Sequence, residues 1–133
     1  MGSIQVNDTN FPLVVVTFEG SVSDQEFERY LARLDTLWGR NVRSAIVLEA
    51  SRADRSPATQ RRMQAEWLKK NDYLLRAHSA GTAFVISSAL VRGSLTAILW
   101  LQPLPTPYIV VATLAEAERW ARRQLQLSVT GAA

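Results

Sequence analysis

The chain has 133 residues, 27 of them charged (15 basic, 12 acidic), and 47% hydrophobic content, which suits one globular domain. It is too apolar for a mostly disordered chain. It has no cysteine and one histidine, His78, so disulfides, thiol catalysis, Cys-ligated metals and His-rich metal sites are excluded.

The net charge of +3 is unevenly spread. Residues 1–50 carry four Arg against seven acids, and residues 51–76 carry seven basic residues against three acids. The basic excess is therefore local, and a local basic face steers an acidic partner. It is weaker than the dense clusters of nucleic-acid binders, so no nucleic-acid partner is expected. No signal peptide is expected, because no basic region followed by an apolar run opens the chain. Met1-Gly2-Ser3 superficially matches a myristoylation signal, but Val6 stands where Ser or Thr is needed. The apolar stretch from Ala80 to Leu104 is broken by Arg92, Gly93 and Pro103, so no membrane span is expected. A cytoplasmic location is the default expectation.

In chain order, Ile4 to Asn7 reads as a short edge strand, and Asp8-Thr9-Asn10 as a turn. Pro12 to Phe18 is rich in β-branched residues and predicts a strand ended by Gly20. Ser23-Asp24-Gln25-Glu26 is a capping box, with Val22 and Phe27 as its hydrophobic staple. Phe27, Tyr30, Leu31, Leu34, Leu37 and Trp38 follow at helical spacing, and Gly39 is the expected stop.

Val42 to Glu49 predicts a buried strand, and Ala50 to Ser56 a polar loop. Ser56-Pro57 then predicts a helix start, with Ser56 as cap and Pro57 at the first helical position. One helix is expected from there to His78, with Met63, Trp67, Leu68, Leu74 and Leu75 inward. His78 reads as a cation at that helix end rather than as a catalytic base.

Thr82 to Ile86 predicts a third core strand. Ser87 and Ser88 offer caps for a helix carrying Leu90, Val91, Leu95, Ile98 and Leu99. Pro103, Pro105 and Pro107 stop that helix and make a stiff connector. Tyr108 to Ala112 predicts the last strand. Thr113-Leu114-Ala115-Glu116 is a second capping box, opening a helix with Ala117, Trp120, Ala121 and Leu125 inward. Residues 128–133 read as a flexible tail.

The resulting order is β-β-α-β-α-β-α-β-α. It predicts an α/β domain over residues 1–127, with a mixed, mostly parallel sheet of about five strands and about four helices. The first two strands are expected to pair antiparallel.

Catalytic motifs are missing. The six glycines are too scattered for a phosphate-binding loop or a dinucleotide fingerprint, and there is no G-x-S-x-G elbow. No cofactor is expected. Glu49 and Asp54 flank the loop where open α/β sheets place their sites, so a carboxylate pair for Mg²⁺ or acid–base work is the enzymatic alternative. It lacks a nucleophile–base pair, and the favoured reading is a solvated Glu49 with Asp54 shaping the loop. No resident metal is expected.

Arg55, Arg62, Lys69 and Arg76 recur every seven residues and predict one basic ridge, widened by Arg61 and Lys70. Glu66 is expected to pair with Lys70, or with Arg62. Trp38, Trp67 and Trp120 read as core. Trp100, beside the prolines, is expected to be buried under the connector, with an exposed interface role as the alternative.

The element order resembles the STAS fold of bacterial anti-anti-sigma factors and of the cytoplasmic ends of sulfate transporters. It is especially similar to small SpoIIAA-like proteins of the STAS/SEC14 type, over residues 4 to 126. The residues that carry the resemblance are PLVVVTFEGSVSDQEF, at the strand–Gly–helix opening, and IVLEASRADRSPATQ, at the strand–loop–helix centre. In anti-anti-sigma factors the central loop has the form D-L-S followed by D-S-x-G, and its serine is phosphorylated. Here Glu49-Ala50-Ser51 and Asp54-Arg55-Ser56-Pro57 stand in those places. Asp54 matches, Arg55 replaces the phosphoserine, and Pro57 replaces the glycine. Ser56 is the nearest hydroxyl and the candidate phosphosite, with helix capping as its competing role.

The resemblance implies a non-enzymatic regulatory or scaffold module. Its protein partner, of acidic character, would bind through Ser51, Asp54, Arg55, Ser56, Thr59, Arg62 and Lys69. The STAS/SEC14 resemblance supplies the alternative, a small-ligand or lipid carrier. Its pocket would open between the Leu95–Leu99 helix and the sheet, with Ser87, Ser88 and Arg92 as polar contacts. A homodimer through an edge strand or the Trp100 region is a further expectation.

Overall fold

The computed structural model describes residues 2–132, and the side chains of residues 2–127. Five strands form one sheet in the order β1-β2-β3-β4-β5. They are β1 (Ser3–Asn7), β2 (Leu13–Gly20), β3 (Ser44–Ala53), β4 (Ser79–Val85) and β5 (Tyr108–Val111). β1 pairs antiparallel with β2, and every other neighbouring pair is parallel. The mixed, mostly parallel sheet expected from the alternating pattern is therefore present.

Alternation along each strand divides the core into two layers. Val14 and Val16 of β2 and Ile46 of β3 face helices α1 (Asp24–Asp35) and α2 (Ala58–Lys70). Leu13 of β2, Ala45 and Val47 of β3, and Ala83 and Val85 of β4 face the C-terminal helix α5 (Leu114–Ala132). Ala117 and Ala121 are fully buried there, and their small size lets the helix axis approach the strands. The sequence places a tail at residues 128–133. The helix backbone runs to Ala132, and the side chains of that segment lie outside the described residues.

Helix α1 starts at the expected cap, Ser23. The Ser23 hydroxyl accepts from the Glu26 amide at 3.1 Å, and Asp24 and Glu26 complement the helix dipole. The helix then tightens into a 3-10 turn, Thr36–Arg40. Gly39 is not its stop. Asn41 takes the left-handed conformation, φ 53°, one of the few non-glycine residues that do so at low cost.

The long helix expected up to His78 is two helices, α2 and α3 (Asp72–His78). The break lies at Asn71. Its side-chain amide donates to the Trp67 carbonyl at 2.9 Å, a local bond that competes with regular helix continuation. Arg43 reaches from before β3 to donate to the Ala77 carbonyl at 3.2 Å, satisfying a free acceptor at the end of α3.

Helix α4 (Ala89–Leu101) is capped by Ser88, whose hydroxyl accepts from the Leu90 and Val91 amides. Thr113 and Glu116 close the second capping box at the start of α5, as expected. Helices α1 to α4 thus cover one face of the sheet, and α5 covers part of the other.

Candidate functional site

The end of β3 decides where the predicted site residues go. The strand does not stop at Glu49. It continues to Ala53, because β2 also runs on and pairs Glu19 with Arg52 and Gly20 with Ala53. A register shift between Thr17 and Glu19 accompanies this extension, with three residues of β3 advancing against two of β2. Such a bulge re-aims side chains near a strand end.

Ser51 is consequently a strand residue, and it separates from the residues that follow it. Ser51 and Glu49 border a small polar cleft with Thr17, Glu19 and Arg52. The Glu49 carboxylate accepts from the Ser51 amide at 2.9 Å. Asp54 belongs to a different wall. Its carboxylate accepts from the Ser21 hydroxyl at 2.7 Å, and its amide donates to the Gly20 carbonyl. The two carboxylates thus serve separate local structures, and Glu49 is half-buried and hydrogen-bonded rather than freely solvated. Among the described residues, no group of three or more His, Asp or Glu is placed to hold a metal ion.

Ser56 departs most from expectation. The cap position of α2 is Pro57, which has extended backbone and no capping side chain, so Pro57 lies before the helix rather than inside it. The Ser56 hydroxyl makes no cap. It is buried without a hydrogen-bond partner among the described residues. Leaving a buried hydroxyl unpaired costs about 1–3 kcal/mol. The Ser56 backbone is held at both polar groups: its amide donates to the Ser94 hydroxyl at 3.1 Å, and its carbonyl accepts from the Arg61 guanidinium. Arg61 is therefore drawn back onto the loop and does not widen the basic ridge.

Ser56 is also one of the residues lining an apolar cavity of about 160 Å³ between α1, α2, α4 and the sheet, although its hydroxyl has almost no accessible surface. Phe18, Leu48, Phe84, Leu95 and Ile98 are among its walls. Cores are normally close-packed, with few voids larger than a water molecule. The exposed residues on its border are Ser21, Asp54, Arg55 and Pro57, which form its mouth at the C-terminal end of the strands.

Two glutamines unmarked by the sequence reading, the buried Gln60 and the half-buried Gln64, organise the inner wall. The Gln60 side-chain amide donates to the Val22 carbonyl at 2.8 Å and to the Asp24 carboxylate at 3.0 Å. The Tyr30 hydroxyl donates to the Gln64 side-chain oxygen at 3.0 Å. Burial pushes the Tyr30 phenol well above its ordinary value. Their spacing is the signal that was available: Gln60, Gln64, Trp67 and Leu68 lie on one helical face, so the polar pair continues the inward stripe.

The basic ridge survives in part. Arg55, Thr59, Arg62 and Lys69 are exposed on the loop and the outer side of α2. Among the described residues, Arg55, Arg62 and Lys69 make no ion pair. Glu66 pairs with neither Lys70 nor Arg62. Arg76 drops out of the ridge, because it lies beyond the Asn71 break and pairs with Asp72 at 2.9 Å.

The polar contacts expected for a ligand do not line the cavity. Ser88 is occupied as the cap of α4, Ser87 donates to the Ser51 carbonyl at 3.3 Å, and Arg92 is exposed. The apolar face of α4 does line it, as the carrier alternative requires. Trp100 is 88% exposed, with Leu101 and Leu90 also exposed, so burial under the proline connector is wrong. Leu104 of the connector packs inward against the core, and Trp100 does not.

A comparison with protein-family models and with curated proteins finds no match. Solved structures do match. An anti-sigma factor antagonist from Mycobacterium paratuberculosis superposes with a TM-score of 0.63 at 15% identity, covering 92% of this chain and 95% of that one. An uncharacterised protein with a SpoIIAA-like fold from Shewanella loihica superposes with a TM-score of 0.62 at 11% identity, covering 91% and 95%. The chain has the STAS/SpoIIAA-like fold that the element order resembles. No helix among the described residues is long and apolar enough to cross a membrane.

Proposed function

We propose that the chain is a non-enzymatic regulatory module. It docks an acidic surface of a protein partner on the rim made by Asp54, Arg55, Thr59 and Arg62, with Lys69 extending it along α2, while Ser51 on β3 and the buried Ser56 hydroxyl stand outside that rim. The observation that carries this reading is the set of three exposed cations, Arg55, Arg62 and Lys69, with no internal acidic partner among the described residues. Unpaired cations at one edge raise the encounter rate with an acidic surface and fix its orientation. The likeness to an anti-sigma factor antagonist supports a partner-binding role.

A phospho-switch at Ser56 carries an added requirement. Its hydroxyl is buried, so the Arg55–Pro57 segment must open before a kinase reaches it. Exposed Thr59 needs no such opening.

The test is affinity capture from the host with the wild-type chain and with an Arg62→Glu/Lys69→Glu double variant. The captured protein is then purified and its affinity measured for both chains at two salt concentrations. The expected result is a loss of at least about tenfold in the double variant and weaker wild-type binding at high salt. Unchanged affinity in a folded double variant removes the ridge from the mechanism.

A further inference from the structure

We propose that the outer face of α4 is a self-association surface: two copies of this chain pair their α4 helices antiparallel, with Trp100 of each copy set against Leu90 of the other.

Helical spacing divides α4 into two faces. Val91 and Ser94 are buried, and Leu95 and Ile98 line the cavity with them. Leu90, Gly93, Ala97, Trp100 and Leu101 recur at intervals of three and four and fall on the other side. Leu90 and Leu101 are each 62% exposed, and Trp100 is 88% exposed. Monomeric proteins seldom leave so contiguous an apolar stripe in water.

Charge selects the occupant. Between His78 and Glu116 the sequence holds one charged residue, Arg92, which lies at the border of this face. An acidic partner is served by Arg55, Arg62 and Lys69, none of which is on α4. An anionic lipid surface needs a row of cations beside the apolar stripe, and α4 has a single one. A second copy of the same face buries no unpaired charge, so covering it carries no ionic desolvation cost.

The order of large and small side chains selects the geometry. Leu90 stands near the start of α4, Trp100 near its end, and Gly93 and Ala97 between them. Antiparallel pairing about a two-fold axis sets Leu90 against Trp100 at both ends and Gly93 against Ala97 in the middle. The small central pair lets the helix axes approach, and the large residues close the ends. A β-carbon at Gly93 would meet nothing within 4 Å in the single chain, so this notch is open to another molecule. Opposed helix dipoles favour the same direction of pairing.

The area suits a weak dimer. Covering Trp100 removes about 200 Å² from water on each copy. A small specific interface needs about 500 Å² per copy. Leu90, Leu101 and the backbone at Gly93 extend the contact along a helix of about 20 Å.

Sedimentation velocity of the full chain over a concentration series tests this. The expected result is a reversible monomer–dimer equilibrium with a dissociation constant of about 10–100 µM. Trp100→Ala weakens it by at least about tenfold. Gly93→Glu abolishes it with an unchanged circular dichroism spectrum, since the single chain has room for the side chain. Mixing Gly93→Glu chains with Ala97→Lys chains gives a tighter dimer than either variant alone, because antiparallel pairing brings those two positions together. A monomer at every concentration overturns the proposal, and so does a dimer that neither Trp100→Ala nor Gly93→Glu weakens. A mixture no tighter than its components overturns the antiparallel register. A monomer that binds phosphatidylcholine vesicles through Trp100 assigns the face to a lipid surface instead and likewise overturns the proposal.

Discussion

The Ser56 amide donates to the Ser94 hydroxyl across 3.1 Å, and this bond ties the segment after β3 to helix α4 over 38 positions of sequence. Both residues lie beside the cavity. Replacing Ser94 by Ala removes the acceptor and leaves a largely buried amide unpaired. The expected cost is about 1–2 kcal/mol in urea denaturation, together with faster hydrogen exchange at the Ser56 amide. Unchanged exchange at that amide would show that α4 does not hold the segment.

Tyr30 makes stability depend on alkaline pH. Burial raises its folded-state pKa above the ordinary phenol value of about 10. The unfolded chain therefore releases this proton first as pH rises. The contribution is complete below pH 10 and is lost progressively above it. Tyr30→Phe should remove this part of the pH dependence. The wild-type-minus-variant difference in denaturation midpoint should be constant from pH 7 to 9 and shrink above pH 10. A constant difference up to pH 11.5 would contradict the assignment.

Gly81 sits where no side chain fits. A β-carbon built there would lie 2.8 Å from the Trp120 ring and 3.1 Å from the Pro107 carbonyl oxygen, and its φ is +157°. Gly81→Ala must therefore displace Trp120 or β4. Overpacking of this kind costs about 1–3 kcal/mol, seen as a lowered thermal midpoint. Gly81→Ala with Trp120→Ala should recover part of the loss, which separates the clash from the backbone conformation.

Trp100 behaves as a surface residue. At 88% exposure, its replacement by Ala should change stability by no more than about 0.5 kcal/mol. If Trp100 serves self-association, sedimentation will show a dimer in the wild type that the variant loses. A large loss of monomer stability would contradict its exposure.

The Trp67 indole N–H donates to the Asp35 carboxylate at 2.9 Å, joining the end of α1 to α2. Asp35→Ala leaves that buried donor unpaired, and the expected cost is about 1–2 kcal/mol in the urea midpoint. An unchanged midpoint would mean that the indole finds another acceptor.

Local signals carried the sequence reading far. Ser23 with Glu26, Ser88, and Thr113 with Glu116 each mark a helix start, because a cap involves residues two or three positions apart and needs no knowledge of the rest of the chain. The β-branched residues at Val14–Val16 and Ile46–Val47 mark core strands for the same reason. The alternation of elements then leads to a mixed, mostly parallel sheet, since parallel neighbours require crossovers. Boundaries were less legible. β3 outruns its apolar stretch because pairing with Glu19 and Gly20 extends it, and the helix beyond it breaks where the Asn71 side chain bonds to Trp67.

The composition and spacing of this chain determine that it is an α/β domain with no thiol chemistry and a local basic excess after residue 50. Those properties are summed over residues or repeated at short intervals, so sequence order alone expresses them. Only the tertiary structure decides what Ser56 does. The residue reads locally as a helix cap, yet its amide is claimed by Ser94, its carbonyl by Arg61, and its hydroxyl is buried without a partner, beside an apolar cavity bounded by α1, α2, α4 and the sheet. A cavity is a property of the space left between packed elements. No residue encodes it singly, and it becomes visible only when those elements have met.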